Sequence, residues 1–254
     1  MGVAPELYAL LQDLGADPDA LIIEAGLDPR LFDNPRNLVS VVVLGNFLHL
    51  CAERTNCSHI GLLAGQRATL DSLRLVGSLM KASETLGAAL RALEAHLKIQ
   101  NRGAVVHMAV KSGVAVLSFV PYEPMGKGAG YVCEGGLATA VRAVRELCYA
   151  DWAPTEVLIP RREPADAGPY RRFFRAPIRF NEETAAVVFP AGLLSWQLPG
   201  ASTASGMMVP SWLRGPRGVP TRVGSSRWFA RMSCSTWCLD VRTPATRSLA
   251  QTFR

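Results

Sequence analysis

The sequence predicts an α+β fold, in which a series of helices precedes a small mixed sheet that is packed with further helices. Apolar side chains recur at helical spacing through residues 5–99, and the pattern then changes to two β-rich runs within 104–120. Beyond residue 130, helical and strand patterns follow one another. Helices first, then strands mixed with helices, indicate α+β rather than a regular βαβ array.

The N-terminal helices are predicted from Leu, Ile and Ala at helical spacing. Asp17 can cap the second helix, and Gly26 can end it. The predicted helices cover 5–14, 17–25, 43–53, 59–66 and 73–81.

The next helix is predicted over 83–99, where Ser83 or Thr85 can act as the N-cap. Four leucines form one stripe along it, which predicts a buried face. They are Leu86, Leu90, Leu93 and Leu97.

Two β-rich runs follow, at 104–110 and 114–120, and the short turn at 111–113 between them predicts a hairpin. A long amphipathic helix is predicted next, with Leu137, Val141, Val144 and Cys148 on one side. This helix is predicted over 130–149, and the remaining predictions are a strand at 156–159, a helix at 167–174 and strands at 178–180 and 185–189.

Residues 169–190 combine four arginines with five Phe or Tyr rings, a combination that also occurs on nucleic-acid surfaces. Tyr170, Phe173 and Phe174 lie at helical spacing, which predicts a packing face with the arginines toward solvent. Pro177 ends that helix because proline cannot continue the backbone hydrogen bonding. We therefore interpret this stretch as scaffold.

Charge is divided unevenly along the 254 residues, whose net charge is +6. Residues 1–200 hold 19 Lys and Arg against 20 Asp and Glu, a balance of −1, whereas residues 201–254 hold 8 against 1, a balance of +7. Six cysteines are too few for a disulfide-dense chain and fit a reducing compartment. No apolar stretch approaches the roughly 20 residues of a membrane span, so we expect a cytoplasmic protein.

The composition changes near residue 201, which divides the chain into a domain at 1–200 and an irregular basic tail at 201–254. The tail holds three of the five tryptophans and eight arginines but no lysine or histidine. Ordinary disordered tails are poor in aromatic residues and rich in Lys and Glu. We interpret the tail as the product of a frameshift or other sequence break, and translation of the other two reading frames tests that hypothesis.

Other motifs indicate structure rather than chemistry. His49, Cys51, Cys57 and His59 are metal-ligand types, but their spacing does not match a zinc site, and core packing explains them. The glycine-rich run at 126–131 lacks the Gly-Lys-Ser/Thr of a phosphate loop and is interpreted as a connection into a helix. We expect neither a metal nor a cofactor.

Three motifs in order carry a resemblance to a known family. They are LRLVGSLMKASETLGAALRALEAHLKI at 73–99, DWAPTEVLIPRREPADAGPYRRFFRAPIRFNEETAAVVFPAGLL at 151–194, and LPGAS at 198–202. Residues 5–202 resemble the N-terminal ligand-sensing and dimerisation domain of AraC-type transcriptional regulators, in the arabinose-binding-like subgroup.

The resemblance implies a homodimer that senses a small-molecule effector and, in an intact regulator, controls promoter DNA through two helix-turn-helix units. The segment 239–254 is similar to the first of these units, with Arg242, Thr243 and Arg247 at the DNA-binding positions. Pro244 interrupts the expected helix, and supporting helices are missing upstream, so we expect that this chain lacks a working DNA-binding domain. It could still dimerise and interfere with full-length partners.

The candidate effector-binding residues are Phe47, Cys51, Tyr131 and Glu134, because they place polar or aromatic groups on otherwise apolar helices. We expect the effector to be small and largely apolar. The alternative is an enzyme for a small molecule, with His96 or His107 as the base. Neither histidine has a sequence-local acid that would identify a triad, and the chain contains no Gly-x-Ser-x-Gly nucleophile elbow.

Overall fold

A computed structural model describes residues 5–32, 39–100, 103–122 and 126–199. This part of the chain contains eight α-helices and a five-stranded mixed sheet, so the predicted α+β class is confirmed. The tail at 201–254 lies outside the described residues, together with Arg242, Thr243 and Arg247.

Six helices precede the sheet, and each was predicted to within a few residues. Asp17 caps the second helix, since its carboxylate accepts hydrogen bonds from the backbone N–H groups of Asp19 and Ala20. Gly26 follows that helix with a φ of +68°, a conformation that favours glycine. The helices are α1 (Pro5–Asp13), α2 (Pro18–Glu24), α3 (Val41–Arg54), α4 (Ile60–Gln66), α5 (Arg74–Lys81) and α6 (Leu86–Gln100).

Helix α6 buries the predicted leucine stripe, since all four leucines are at most 7% exposed. Its N-cap is Thr85, whose hydroxyl accepts the backbone N–H of Ala88 at 3.2 Å. Ser83, the other predicted cap, instead donates its hydroxyl to the carbonyl of Leu79 in α5. The two hydroxyls therefore serve two different helix ends.

We expect Thr85→Ala to lower the free energy of unfolding by about 1 kcal/mol, because it leaves an N-terminal N–H of α6 without its acceptor. Urea unfolding of the full chain measures this change. Ser83→Ala is the control and should cost less, because a hydroxyl that bonds back to the preceding turn contributes little. A larger loss for Ser83→Ala than for Thr85→Ala would contradict the assignment of the cap.

The sheet begins with the predicted hairpin and has the strand order β1-β2-β5-β3-β4. Lys111 pairs with Val114, so the turn consists of Ser112 and Gly113, both with positive φ. β2 pairs antiparallel with β5, β5 antiparallel with β3, and β3 parallel with β4. The strands are β1 (Ala104–Lys111), β2 (Val114–Pro121), β3 (Glu156–Ile159), β4 (Ile178–Phe180) and β5 (Ala185–Pro190).

The long helix α7 (Ala129–Leu147) packs against both the helical layer and the sheet. A Cβ on Gly61 of α4 would lie 2.1 Å from the carbonyl oxygen of Tyr131, and one on Gly136 would lie 2.8 Å from the Phe119 ring of β2. The helix ends at Leu147, two residues before the predicted end, and half-buried Cys148 is its C-cap. Glycines thus bring α7 into close contact on two sides.

The glycine-rich connection at 126–131 packs closely on α3. Gly126–Gly128 form a 3-10 helix that leads into α7, and a Cβ on Gly128 would lie 2.2 Å from the backbone of Gly45. The glycines therefore permit the close approach of two backbones.

The arginine-rich and aromatic-rich stretch is scaffold, as predicted. It contains α8 (Gly168–Phe174), in which Tyr170 and Phe174 are fully buried while Arg171 and Arg172 are exposed. The helix ends at Phe174, and its C-cap Arg175 has a φ of +57°, two residues before Pro177. This arrangement brings Tyr170 to the centre of the polar cluster described next.

Candidate functional site

Helix α7 carries Glu134, the one fully buried charged side chain among the described residues, with 0% exposure. Its neighbours along the helix are apolar, since Val132, Cys133 and Leu137 belong to the core. A carboxylate that has lost its water must be stabilised by donors from the protein. The partners of Glu134 therefore define the site.

Two side chains donate hydrogen bonds to Oε1 of Glu134. Nη1 of Arg161 lies 2.7 Å from this oxygen, and the phenolic oxygen of Tyr170 also lies 2.7 Å from it. Nη1 of Arg161 further donates to the backbone carbonyl of Ser58 at 2.8 Å. The carboxylate thus connects α7 with α8, with the segment after β3 and with the segment between α3 and α4.

Tyr131 lies one helical turn before Glu134, so the two side chains share a face of α7. The guanidinium of Arg161 sits over its ring, with the central carbon 4.6 Å from the ring centroid, which is cation–π geometry. The His49 ring of α3 stacks on the same tyrosine with a centroid distance of 6.1 Å. We call Tyr131, Glu134, Arg161, Tyr170 and His49 the polar cluster.

Two atoms of the polar cluster are buried without a hydrogen-bond partner among the described residues. They are Oε2 of Glu134 and Nδ1 of His49. A buried polar atom without a partner costs about 1–3 kcal/mol, so such atoms are uncommon in folded proteins. Polar groups of a ligand can remove this cost, which makes the cluster a candidate binding site.

Burial raises the pKa of Glu134 to about 7, although the Arg161 charge and the hydrogen bonds from Tyr170 and Arg161 act in the opposite direction. Burial also raises the pKa of the Tyr170 phenol, and the neighbouring carboxylate adds to that effect. Arg161 loses solvation on burial, but the charge of Glu134 leaves its pKa above the usual value. The arginine therefore stays cationic.

The structure brings Tyr131 and Glu134 together, two of the four residues that the sequence predicted for effector binding. Phe47 and Cys51 of α3 are core residues with 2% and 0% exposure. Burial raises the pKa of Cys51 to about 12, so its thiol is neutral. The contacts that define the polar cluster do not include Phe47 or Cys51.

Sequence reasoning missed Arg161 and the polar role of Tyr170. Arg161 directly follows Leu158, Ile159 and Pro160, so a signal existed in the form of a charged residue at the end of a buried strand. Tyr170 was identified only as part of a packing face, because its spacing reveals burial but not the partner of its hydroxyl.

Metal binding has no support in the described part of the chain, where no group of three or more His, Cys, Asp or Glu side chains could hold an ion. Within the same residues, no helix is both long and apolar enough to cross a membrane. Cys51, Cys57, Cys133 and Cys148 carry free thiols.

The fold is a helix-rich α+β domain with a buried polar cluster, and comparison with known proteins identifies its family. The model described as "Arabinose-binding domain of AraC transcription regulator, N-term" matches residues 15–198. The chain therefore belongs to this family of transcription regulators.

Two proteins from Pseudomonas aeruginosa are similar to this chain, one in sequence and one in structure. The chain is 22% identical over 209 residues to an ornithine utilization regulator, a match that covers 81% of this chain and 60% of the relative. The crystal structure of the transcriptional regulator CdpR has the same fold, with a TM-score of 0.55 at 16% identity, over 80% of this chain and 60% of CdpR. The chain thus spans about 60% of the length of these relatives.

Proposed function

We propose that this chain is the effector-sensing and dimerisation part of an AraC-type regulator, and that a small, largely apolar effector binds at the polar cluster. The observation that carries the proposal is Oε2 of Glu134, a fully buried carboxylate oxygen without a donor in the described part of the chain. Glu134 lies among core residues of α7, Val132, Cys133 and Leu137, so a ligand with an apolar body and one donating group would match the site.

A sensor needs an effector that prefers one of two conformations, because binding with equal affinity to both shifts nothing. The polar cluster supports such a preference, since it joins α7, α8 and the segments that carry Ser58 and Arg161. An effector that alters these contacts changes how the elements are held together. In the intact family the resulting dimer arrangement controls promoter DNA.

A relative's name supports a small metabolite as the signal. The ornithine utilization regulator is named for the use of a small molecule. We extend to this chain only the class of a small-molecule effector. Because the chain spans about 60% of that relative, the proposal is limited to sensing and dimerisation.

The enzyme alternative has weaker support. Nδ1 of His107 lies 2.7 Å from Oε1 of Glu94, so the fold does supply an acid that the sequence did not reveal. The same oxygen accepts the backbone N–H of Met108 at 3.3 Å, and the pair joins β1 to α6 at side-chain exposures of 40% and 30%. This geometry favours a structural tie, and His96 lies on the same helix without a comparable pair in the described residues.

A thermal melt of the full chain with a library of small molecules tests the sensor function. A true effector at about 100 times its Kd should stabilise the protein by roughly 3 kcal/mol, which corresponds to a rise in Tm of roughly 5–10 °C. NMR should show that the compound is not consumed, and sedimentation should show a change in the monomer–dimer balance.

Tyr131→Leu should abolish most of that rise in Tm, because it removes the ring that Arg161 and His49 contact. The matched control is Tyr122→Leu, since Tyr122 is 55% exposed and should leave the response unchanged. Turnover of the compound would favour the enzyme, and a response that survives Tyr131→Leu would place the effector elsewhere.

A further inference from the structure

Arg161 lies where a cationic ligand would be held. Its guanidinium contacts a buried carboxylate, that of Glu134, and covers the face of an aromatic ring, that of Tyr131. A carboxylate next to an aromatic face is the chemistry by which proteins recognise organic cations. The chain thus fills a cation site with one of its own side chains.

Arg161 satisfies only one of the two carboxylate oxygens of Glu134. Nη1 of Arg161 is shared between the Ser58 carbonyl and Oε1 of Glu134 and also lies 3.4 Å from the Tyr170 oxygen. A guanidinium paired through both nitrogens would satisfy both carboxylate oxygens. Here Oε2 of Glu134 has no donor among the described residues.

Of the three hydrogen-bonded side chains, Arg161 is the one that can move out of the polar cluster. Its side chain is 18% exposed, whereas Glu134 is 0% exposed and Tyr170 is fully buried. A long arginine side chain can turn its charged end into water, and this one comes from the segment that follows β3 rather than from a packed helix. Glu134 and Tyr170 have no comparable route to solvent.

The charge of a ligand determines whether it can replace the Arg161 guanidinium beside Glu134. A cation that exchanges with Arg161 leaves the buried carboxylate paired, whereas a cation added beside the intact pair would leave a net buried charge. An anion in the same place would face Glu134 directly, and a neutral molecule would leave the carboxylate without a countercharge, so that Glu134 would have to take up a proton at pH 8. The site therefore selects for a cation.

We infer that the effector is an amine or guanidine cation with a short apolar body, and that it displaces the Arg161 guanidinium from Glu134 and Tyr131. This inference rests on the proposed sensing function. Release of Arg161 also breaks its bond to the Ser58 carbonyl, which removes the link that Arg161 makes between Glu134 of α7 and the segment between α3 and α4. Occupancy by the effector is thereby linked to a change in contacts between elements.

Arg161→Met tests the inference in the full chain, because methionine removes the charge but keeps an apolar stem against Gly130. The probes are n-butylguanidine, neutral n-pentanol and anionic pentanoate, compared at pH 8 and constant ionic strength. Calorimetry should show that n-butylguanidine binds Arg161→Met at least tenfold more tightly than wild type, and the melt should show a larger rise in Tm. The other two probes should not distinguish the proteins.

Two further variants control this test. Glu134→Gln combined with Arg161→Met should not respond to n-butylguanidine, because the carboxylate is gone. Arg171→Ala should behave as wild type, since Arg171 is 70% exposed and its nearest acid is Glu163 at 3.6 Å. Equal affinity of wild type and Arg161→Met, or a full response of the double variant, would overturn the inference.

If Arg161→Met does not fold, the affinities of the wild-type protein for the three probes test the inference. It should prefer n-butylguanidine to pentanoate and to n-pentanol, and any other order, or binding of none of the three, overturns the inference. If a neutral or anionic compound from the library binds through Tyr131, sensing stands and only the cation assignment falls. If no compound of any charge binds, both proposals fall.

Discussion

Gly61→Ala should lower the Tm of the full chain by roughly 5–10 °C, which corresponds to about 2–3 kcal/mol of unfolding free energy. A Cβ on Gly61 would lie 2.1 Å from the carbonyl oxygen of Tyr131 and 2.7 Å from its Cα. These are backbone atoms in the first turn of α7, so they cannot rotate away as a side chain could. The substitution must push α4 and α7 apart.

The helix propensity of alanine opposes this loss by up to about 1 kcal/mol, so the expected value is already a net figure. Gly192→Ala is the matched control, because a Cβ there meets nothing within 4 Å and Gly192 does not have a positive φ. Its Tm should stay close to wild type. Equal melting of Gly61→Ala and Gly192→Ala would mean that the helices do not pack this closely.

The second large effect concerns the pH dependence of stability. Wild type should lose roughly 1–3 kcal/mol relative to Glu134→Gln between pH 5 and pH 8. Burial raises the pKa of Glu134 to about 7, from the ordinary 4.5 of a glutamate side chain. Between these values the folded protein holds a proton that the unfolded chain has released. The stabilisation is complete below the lower value and is lost as the pH rises through the upper one.

Chemical unfolding of both proteins across this pH range measures the difference. Glutamine keeps the size of the side chain and an oxygen that can accept from Arg161 and Tyr170, so the comparison isolates ionisation. His59, whose ring lies 6.4 Å from that of Tyr170, has a pKa lowered by burial and contributes to both curves alike. If the free energy of unfolding depends on pH in the same way for both proteins, the pKa of Glu134 is not raised in the folded state.

Periodicity predicted most of the fold because burial leaves a regular pattern in the sequence. The stripe on α6 and the cap at Asp17 are local features, and both are present. Strand order is not local: β4 pairs parallel with β3, and β5 lies between β3 and β2. No pattern within a single strand specifies its neighbours.

The polar cluster was predictable only in part. Tyr131 and Glu134 stand out as an aromatic and a charged residue three positions apart on an apolar helix. Arg161 is 27 residues from Glu134, and only the fold shows that the two meet. Phe47 and Cys51 were chosen on the same criterion as Tyr131, but an aromatic ring or a thiol on an apolar helix fits core packing equally well.

The contact between Glu94 and the Met108 N–H has a consequence for how this sheet can grow. β1 is an outermost strand, and its backbone groups alternate between facing β2 and facing away from the sheet. The carboxylate of Glu94 accepts the outward N–H of Met108, so another chain cannot bond to that N–H. Helix α6 thus blocks strand addition at this point of the sheet edge. An edge strand with free N–H groups lacks this protection from aggregation.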